Sequence, residues 1–178
     1  MQNIYLIGMM GAGKTTTAFA LTGLLNKKNP SIQFVDIDKE IQYREKLSIN
    51  DIFQKKGESY FREQEKIVLE EVSNQNSVIV ATSGGIVLNP ENVKKINDTG
   101  RVYYLAANEE TLWKRVQDKK DRPLLLTENP VVVFSDIYKQ RLSYYENSGG
   151  IKISTEGCTP QEVASKILHD LNKHLDKS

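Results

Sequence analysis

The sequence predicts an α/β protein built on a parallel sheet with helices on both faces. Three observations carry that reading. Short apolar or β-branched runs alternate with segments whose apolar residues recur at helical spacing, from the first residues to the last. The first strand-to-helix junction, Gly8–Met9–Met10–Gly11–Ala12–Gly13–Lys14–Thr15, fits G-x-x-x-x-G-K-[ST] without a gap. The chain has 178 residues, enough for one domain with a sizeable core.

The glycine stretch organises everything after it. Ile4–Tyr5–Leu6–Ile7 is a strand-type run, and Thr16 to Leu25 carries Ala18, Leu21, Leu24 and Leu25 at helical spacing. Strand, glycine loop and helix are the context the motif requires. The glycines let the backbone curl so that the N–H groups of Gly11, Ala12, Gly13, Lys14, Thr15 and Thr16 converge on an anion, helped by the positive end of the helix. Lys14 can reach the outer phosphates of a nucleotide, and the Thr15 hydroxyl can ligate a magnesium ion.

The chain then alternates. After a turn at Asn29–Pro30–Ser31, Gln33–Asp36 reads as a second strand, with Asp36–Ile37–Asp38 at its C-terminal end. Ligands bind at that edge of open α/β sheets. Alternate residues there diverge into different contacts, and one of the two acids is expected to cap the helix at 39–46 as well. Ser48–Ile49–Asn50–Asp51 resembles a capping box for a helix that stops at Gly57. Glu58 opens a longer helix with Phe61, Val68, Leu69 and Val72 inward. Arg62 sits at the edge of that apolar face, where arginines are usually solvated or ion-paired, so the pattern alone leaves its role open.

Ser77–Thr82 is a β-branched run with central-strand character, followed by Ser83–Gly84–Gly85. Paired glycines there either let a ligand approach the backbone or form an ordinary turn. Asn89–Pro90 starts a short helix that ends near Gly100. Arg101–Leu105 is the fourth strand, and Asn108 caps a helix with Leu112 and Val116 inward and Trp113 packed. Residues 117–130 are charged and proline-bounded, flanked by Arg115 and Arg122. They read either as a lid that shields a reactive phosphate from water or as a solvent loop. Val131–Glu146 is a helix with Ile137, Leu142 and Tyr145 on its inner side, broken by Gly149–Gly150. Ile151–Ser154 is the fifth strand. Thr159–Pro160–Gln161–Glu162 is a capping box opening the last helix, with Val163, Ile167, Leu168 and Leu171 inward. His169 and His174 read as solvated or packing residues, Cys158 as a loop cysteine without chemistry, and Asp176–Ser178 as a loose tail.

Composition narrows the partners. Twenty-four Lys and Arg against 23 Asp and Glu leave a net charge of +1, which gives no support for nucleic-acid or membrane binding. A single cysteine cannot form an internal disulfide and points to a reducing compartment. No apolar run approaches the ~20 residues of a membrane span, and the chain starts directly on a strand without a leader pattern. A cytoplasmic location is expected.

Several ordered motifs together resemble the shikimate kinases: the phosphate loop at 8–15, Asp36-x-Asp38, Gly57–Glu58 followed by Phe61–Arg62, Gly84–Gly85, Arg122–Pro123–Leu124–Leu125, and Arg141-x-x-Tyr144–Tyr145. The resemblance runs from Ile4 to about Ile167. It implies a single P-loop kinase domain like the nucleoside monophosphate kinases: a three-layer α/β/α fold whose five parallel strands run 2-3-1-4-5. The shikimate-binding segment would be at about 36–62 and the lid at about 117–130. It implies transfer of the ATP γ-phosphate to the 3-hydroxyl of shikimate, a small carboxylate with three hydroxyls, by a monomer that needs Mg²⁺.

Residue by residue, the resemblance gives Arg62 and Arg141 to the carboxylate, whose two oxygens suit a planar fork, and Asp38 to the ring hydroxyls, with a part in proton removal. Gly84 and Gly85 would lie against the ring, Asp36 and Thr15 at the metal, Arg122 on the phosphates and Arg115 near the adenine. Lys14, Asp38 and Arg122 would be the catalytic set. The sequence departs from the family pattern at Ser83, where a glycine is usual, at Ala18–Phe19, where Gly-Arg is common, and at Cys158, where an arginine often contacts the nucleotide. Two rival readings are another small-molecule kinase of this architecture, of gluconate or nucleoside monophosphate type, and a nucleotide-binding regulator without catalysis.

Overall fold

The computed structural model describes residues 1–27 and 30–175. Asn29 of the expected turn, the 176–178 tail and the side chain of His174 lie outside what it describes. Five strands, β1 (Asn3–Ile7), β2 (Gln33–Asp36), β3 (Val78–Ala81), β4 (Gly100–Ala106) and β5 (Ile151–Ser154), form one sheet in the order β2-β3-β1-β4-β5. Every pairing is parallel. Among the described residues, six α-helices lie between the strands and a seventh follows β5: α1 (Lys14–Asn26), α2 (Ile37–Glu45), α3 (Ile49–Ser73), α4 (Pro90–Thr99), α5 (Glu109–Val116), α6 (Pro130–Glu146) and α7 (Pro160–Leu175).

All residues of β1 and β3 are buried, so these strands are covered on both faces. α1 packs with α7, and α3 packs with α2 and α4. The order puts β1 and β3 side by side. The phosphate loop after β1 and the Ser83–Gly84–Gly85 turn after β3 therefore emerge next to each other at the carboxyl edge.

The expected caps form. Asp36, Ser48, Asn89 and Asn108 each accept a backbone N–H at the start of their helices, and Thr159 and Glu162 bond reciprocally. α3 does break at Gly57, which adopts φ 87° and ψ 163°. The break folds the two halves together: Phe53 and Phe61, eight residues apart, bring their rings to 5.1 Å.

Two expectations need correcting. α2 begins at Ile37, so Asp38 lies in a first helical turn and not on the strand end. Leu142 is not on the packed side of α6; that stripe is Phe134, Ile137, Tyr138, Arg141 and Tyr145. The spacing 134–138–141–145 runs through a charged residue, which breaks an apolar reading of the pattern. Two short 3₁₀ turns, Ile86–Leu88 and Pro123–Leu125, were not expected from the sequence.

Asn3 closes the lower end of the sheet. Its amide nitrogen donates to the carbonyls of Gln75 (2.9 Å) and Val72 (3.3 Å), and its oxygen accepts from the Val78 N–H (3.0 Å). It ties β1 to the end of α3 and the start of β3. Asn3→Ala removes all three bonds and leaves a buried N–H unpaired. We expect a loss of about 2–4 kcal/mol in urea unfolding, with the denaturant slope unchanged.

Candidate active site

The phosphate loop holds its shape because of one close approach. Gly8 has φ 146°, and a Cβ there would come 2.5 Å from the Leu105 carbonyl oxygen of the adjacent strand. The loop ends on Gly13, which starts α1 with no side-chain cap and no acid in the first turn. The first helical N–H groups are thus left to an anion. Lys14 Nζ donates back to the carbonyls of Gly8 (2.7 Å) and Met9 (3.2 Å). Burial pushes its ammonium down to about 8; Asp38 and Asp36 oppose that shift, while Arg122 and Arg141 add to it.

The acids across the loop divide their roles. Thr15 Oγ1 donates to Asp36 Oδ2 at 2.6 Å, while Asp36 Oδ1 caps α2 through the Lys39 N–H at 3.1 Å. Asp38, two residues on, has a buried Oδ1 without a hydrogen-bond partner among the described residues. Burial raises its pKa above the ordinary aspartate value, and the charge of Asp36 raises it further, against Lys14, Arg122 and Arg62. Thr15 and Asp36 offer hard oxygens facing the phosphate loop. That donor set fits Mg²⁺, which keeps waters and takes its other ligands from phosphates.

Two arginines converge beyond Asp38. Arg62 donates to Glu65 Oε1 (2.9 Å) and Glu58 Oε1 (2.8 Å). Its guanidinium lies directly on Gly85: a Cβ there would fall 2.3 Å from Arg62 Cζ. Arg141 comes from α6, only 7% exposed, and donates to the Gly84 carbonyl at 3.1 Å. Among the described residues no carboxylate forms an ion pair with it. The Tyr145 hydroxyl donates to the same Gly84 carbonyl, and its ring stacks on Tyr104 at 5.3 Å.

These groups share one cleft. A cavity of about 500 Å³ is lined by the phosphate loop through Thr16, by Asp36 and Asp38, and by Arg115 and Arg122. A smaller recess adjoins it, lined by Asp38, Arg62, Gly84, Gly85, Arg122 and Arg141. Asp38, Gly84 and Arg122 line both. Every site residue expected from the sequence is thus on one continuous surface. Arg115 is built into its wall, donating to Gly11 O (3.2 Å), Thr155 Oγ1 (3.0 Å) and Thr155 O (2.8 Å). The 117–130 segment crosses the cleft and is held down by Asn50 Nδ2, which donates to the Lys120 carbonyl at 2.7 Å. Cys158 also lines the larger cavity, its sulfur accepting from Lys166 Nζ at 3.1 Å. His169 is exposed on α7, away from the cleft.

The family model for shikimate kinase matches residues 10–172. The chain belongs to the shikimate kinase family, whose members are ATP-dependent kinases. It is 37% identical over 173 residues to the shikimate kinase of Thermodesulfovibrio yellowstonii, covering 97% of this chain and 96% of that one. The solved shikimate kinase from Acinetobacter baumannii in complex with shikimate superposes with a TM-score of 0.91 at 35% identity, covering 98% of this chain and 94% of that one. A gluconokinase from Sinorhizobium meliloti is 14% identical with a TM-score of 0.60, covering 99% of this chain and 94% of that one, a likeness of fold alone. No helix among the described residues is long and apolar enough to cross a membrane.

The sequence reading misses one buried polar residue behind the recess, which bonds Arg62. Glu65 is 1% exposed, and burial pushes its carboxyl up to about 7 against the pull of Arg62. Its position gives it away: 61–65–68–72 is the buried stripe of α3, and an acid on such a stripe must serve a partner. The native state holds the Glu65 proton up to about pH 7, whereas the unfolded chain releases it near 4.5. Between those values the native state binds more protons, so stability falls as pH rises, by a span of order 3 kcal/mol. Asp38 adds a slope of the same sign. We expect Glu65→Gln to flatten this fall in unfolding measured between pH 4.5 and 7.5; an unchanged slope would place the titration elsewhere.

Proposed function

We propose that this chain transfers the γ-phosphoryl group of ATP to the 3-hydroxyl of shikimate, giving shikimate 3-phosphate and ADP on the route to aromatic amino acids. The observation that carries the substrate assignment is Arg141: a buried guanidinium without a carboxylate partner, beside a second arginine, at the wall of a recess that opens onto a phosphate loop. A buried cation of that kind calls for an anion from outside. Two planar forks suit a carboxylate, and Asp38 on the same wall suits hydroxyls.

In this reading Arg62 and Arg141 hold the carboxylate, and Gly84 and Gly85 let the ring lie against backbone. Asp38 orients the attacking hydroxyl and takes its proton late, a task that its raised pKa suits. The nucleotide occupies the larger cavity, with its phosphates on the N–H groups of Gly11 to Thr16 and its base towards Arg115. Lys14 and Arg122 offset charge on the transferring group, and the 117–130 lid excludes water. Thr15 and Asp36 would hold Mg²⁺, which supplies further charge neutralisation on the phosphates when bound. The single cysteine supports a cytoplasmic location, and the family resemblance suggests a monomer.

ADP release measured with Mg-ATP and shikimate, gluconate or AMP tests the assignment: turnover is expected with shikimate alone. Turnover with gluconate would move the chain to the rival kinase reading, and nucleotide binding without turnover to the regulatory one. Arg141→Ala should raise the KM for shikimate by about 100-fold and leave that for ATP nearly unchanged. Equal losses for both ligands would remove Arg141 from the carboxylate. Gly85→Ala is expected to displace only the flexible end of Arg62. It should raise the shikimate KM about tenfold or more while changing unfolding stability by less than about 1 kcal/mol.

A further inference from the structure

The acceptor recess contains a polar group that none of these roles uses. Ser83 is 2% exposed, and its hydroxyl has no hydrogen-bond partner. Buried hydroxyls are normally satisfied. The neighbouring Thr82 shows what the backbone here can offer, its hydroxyl donating to Leu6 O at 2.9 Å. Ser83 makes no such bond, yet it lines the recess.

The orphaned groups of the protein are not scattered. Among the described residues six buried side-chain polar atoms lack a hydrogen-bond partner, although one of them, Arg122 Nε, has an ion-pair contact to Asp121 at 3.7 Å. Three of them, Asp38 Oδ1, Ser83 Oγ and Arg122 Nε, belong to residues that line this one recess. Three different elements supply them: the first turn of α2, the end of β3 and the lid. Unsatisfied groups gathered from separate elements onto one surface mark a place where the partner comes from outside.

We propose that the Ser83 hydroxyl is a specificity-determining contact to a ring hydroxyl of the phosphoryl acceptor. The inference rests on the acceptor reading of the recess given above. The two guanidiniums match the carboxylate of such an acceptor, which leaves Asp38 and Ser83 for its hydroxyls. An ionised carboxylate can only accept hydrogen bonds, whereas a serine hydroxyl both donates and accepts. The pair can therefore engage two substrate hydroxyls whose own donors point in different directions. A site of this kind discriminates strongly, because an acceptor lacking the matching hydroxyl leaves the protein group unpaired.

The test is binding of shikimate, and of its three mono-deoxy analogues, to the wild type and to Ser83→Ala without nucleotide, paired with melting curves. Ser83→Ala is expected to weaken shikimate about three- to tenfold. It should leave unchanged the affinity of the one analogue that lacks the partner hydroxyl. The KM for ATP should not move. The ligand-free variant should melt no lower than the wild type, since nothing bonded is removed, while the shift produced by shikimate shrinks. An affinity for shikimate unchanged within about twofold would overturn the inference, as would equal losses across all three analogues, or a ligand-free variant that melts lower. Failure of the wild type itself to bind shikimate would overturn the acceptor reading and this inference with it, and it would be seen before any substitution is compared.

Discussion

A guanidinium held inside the protein with no ion pair among the described residues is the constraint on which the recess beside the phosphate loop depends. Taking an arginine out of water is unfavourable unless its donors are used. Arg141 spends one donor on the Gly84 carbonyl, a group that also accepts from Tyr145. That carbonyl fastens α6 to the turn after β3, and the stack of Tyr145 on Tyr104 extends the tie to β4. Arg62 is handled differently. It is ion-paired with Glu58 at the surface and hydrogen-bonded to Glu65 inside, so its donors are in use while it lies flat on Gly85. One cation is thus held ready by backbone and the other by acids, and both end at the same pair of glycines.

The parallel sheet accounts for why phosphate and acceptor chemistry meet. With β1 between β3 and β4, the loops after β1 and β3 are neighbours. The first provides converging N–H groups, the second a bare backbone surface. Asp36, which ends β2, and Asp38, in the first turn of α2, complete the edge on one side, and the Arg115–Thr155 contact after β5 closes it on the other. No side chain has to reach far. The charges come close because the topology gathers strand ends, and burial then strengthens every interaction between them. Burial also withdraws these groups from water, which depresses the ammonium of Lys14 and raises the carboxyls of Asp38 and Glu65 against the pull of their partners.

Much of this was legible in the sequence, for identifiable reasons. β2 and β5 match their expected bounds because short runs with apolar residues between turn residues have few alternatives. The caps at Asn89, Asn108 and Thr159 are local chemistry, readable without tertiary context. What was missed lies where function overrides pattern. Arg141 and Glu65 occupy stripe positions that periodicity assigns to apolar residues; the motif resemblance picked out Arg141, and nothing picked out Glu65. Leu142 was put inward because it is apolar, although the helix turns its neighbour Arg141 inward instead. The orphaned state of Ser83 could not be read locally, since it depends on what three separate elements leave unsaid to one another.

The break at Gly57 has a consequence for how the acceptor recess is sized. In an unbroken helix, residues eight apart stand about 12 Å apart along the axis. Phe53 and Phe61 touch only because the chain turns a corner between them, and both line the recess. This wall is therefore set by a backbone angle at a residue that does not itself line the recess. The same corner separates Asn50, which bonds the 117–130 segment, from Arg62, which reaches Gly85. A change in that one angle would alter the wall, the Asn50 contact and the reach of an arginine together. The width of the acceptor pocket is in this sense a joint in the skeleton and not a choice of upholstery.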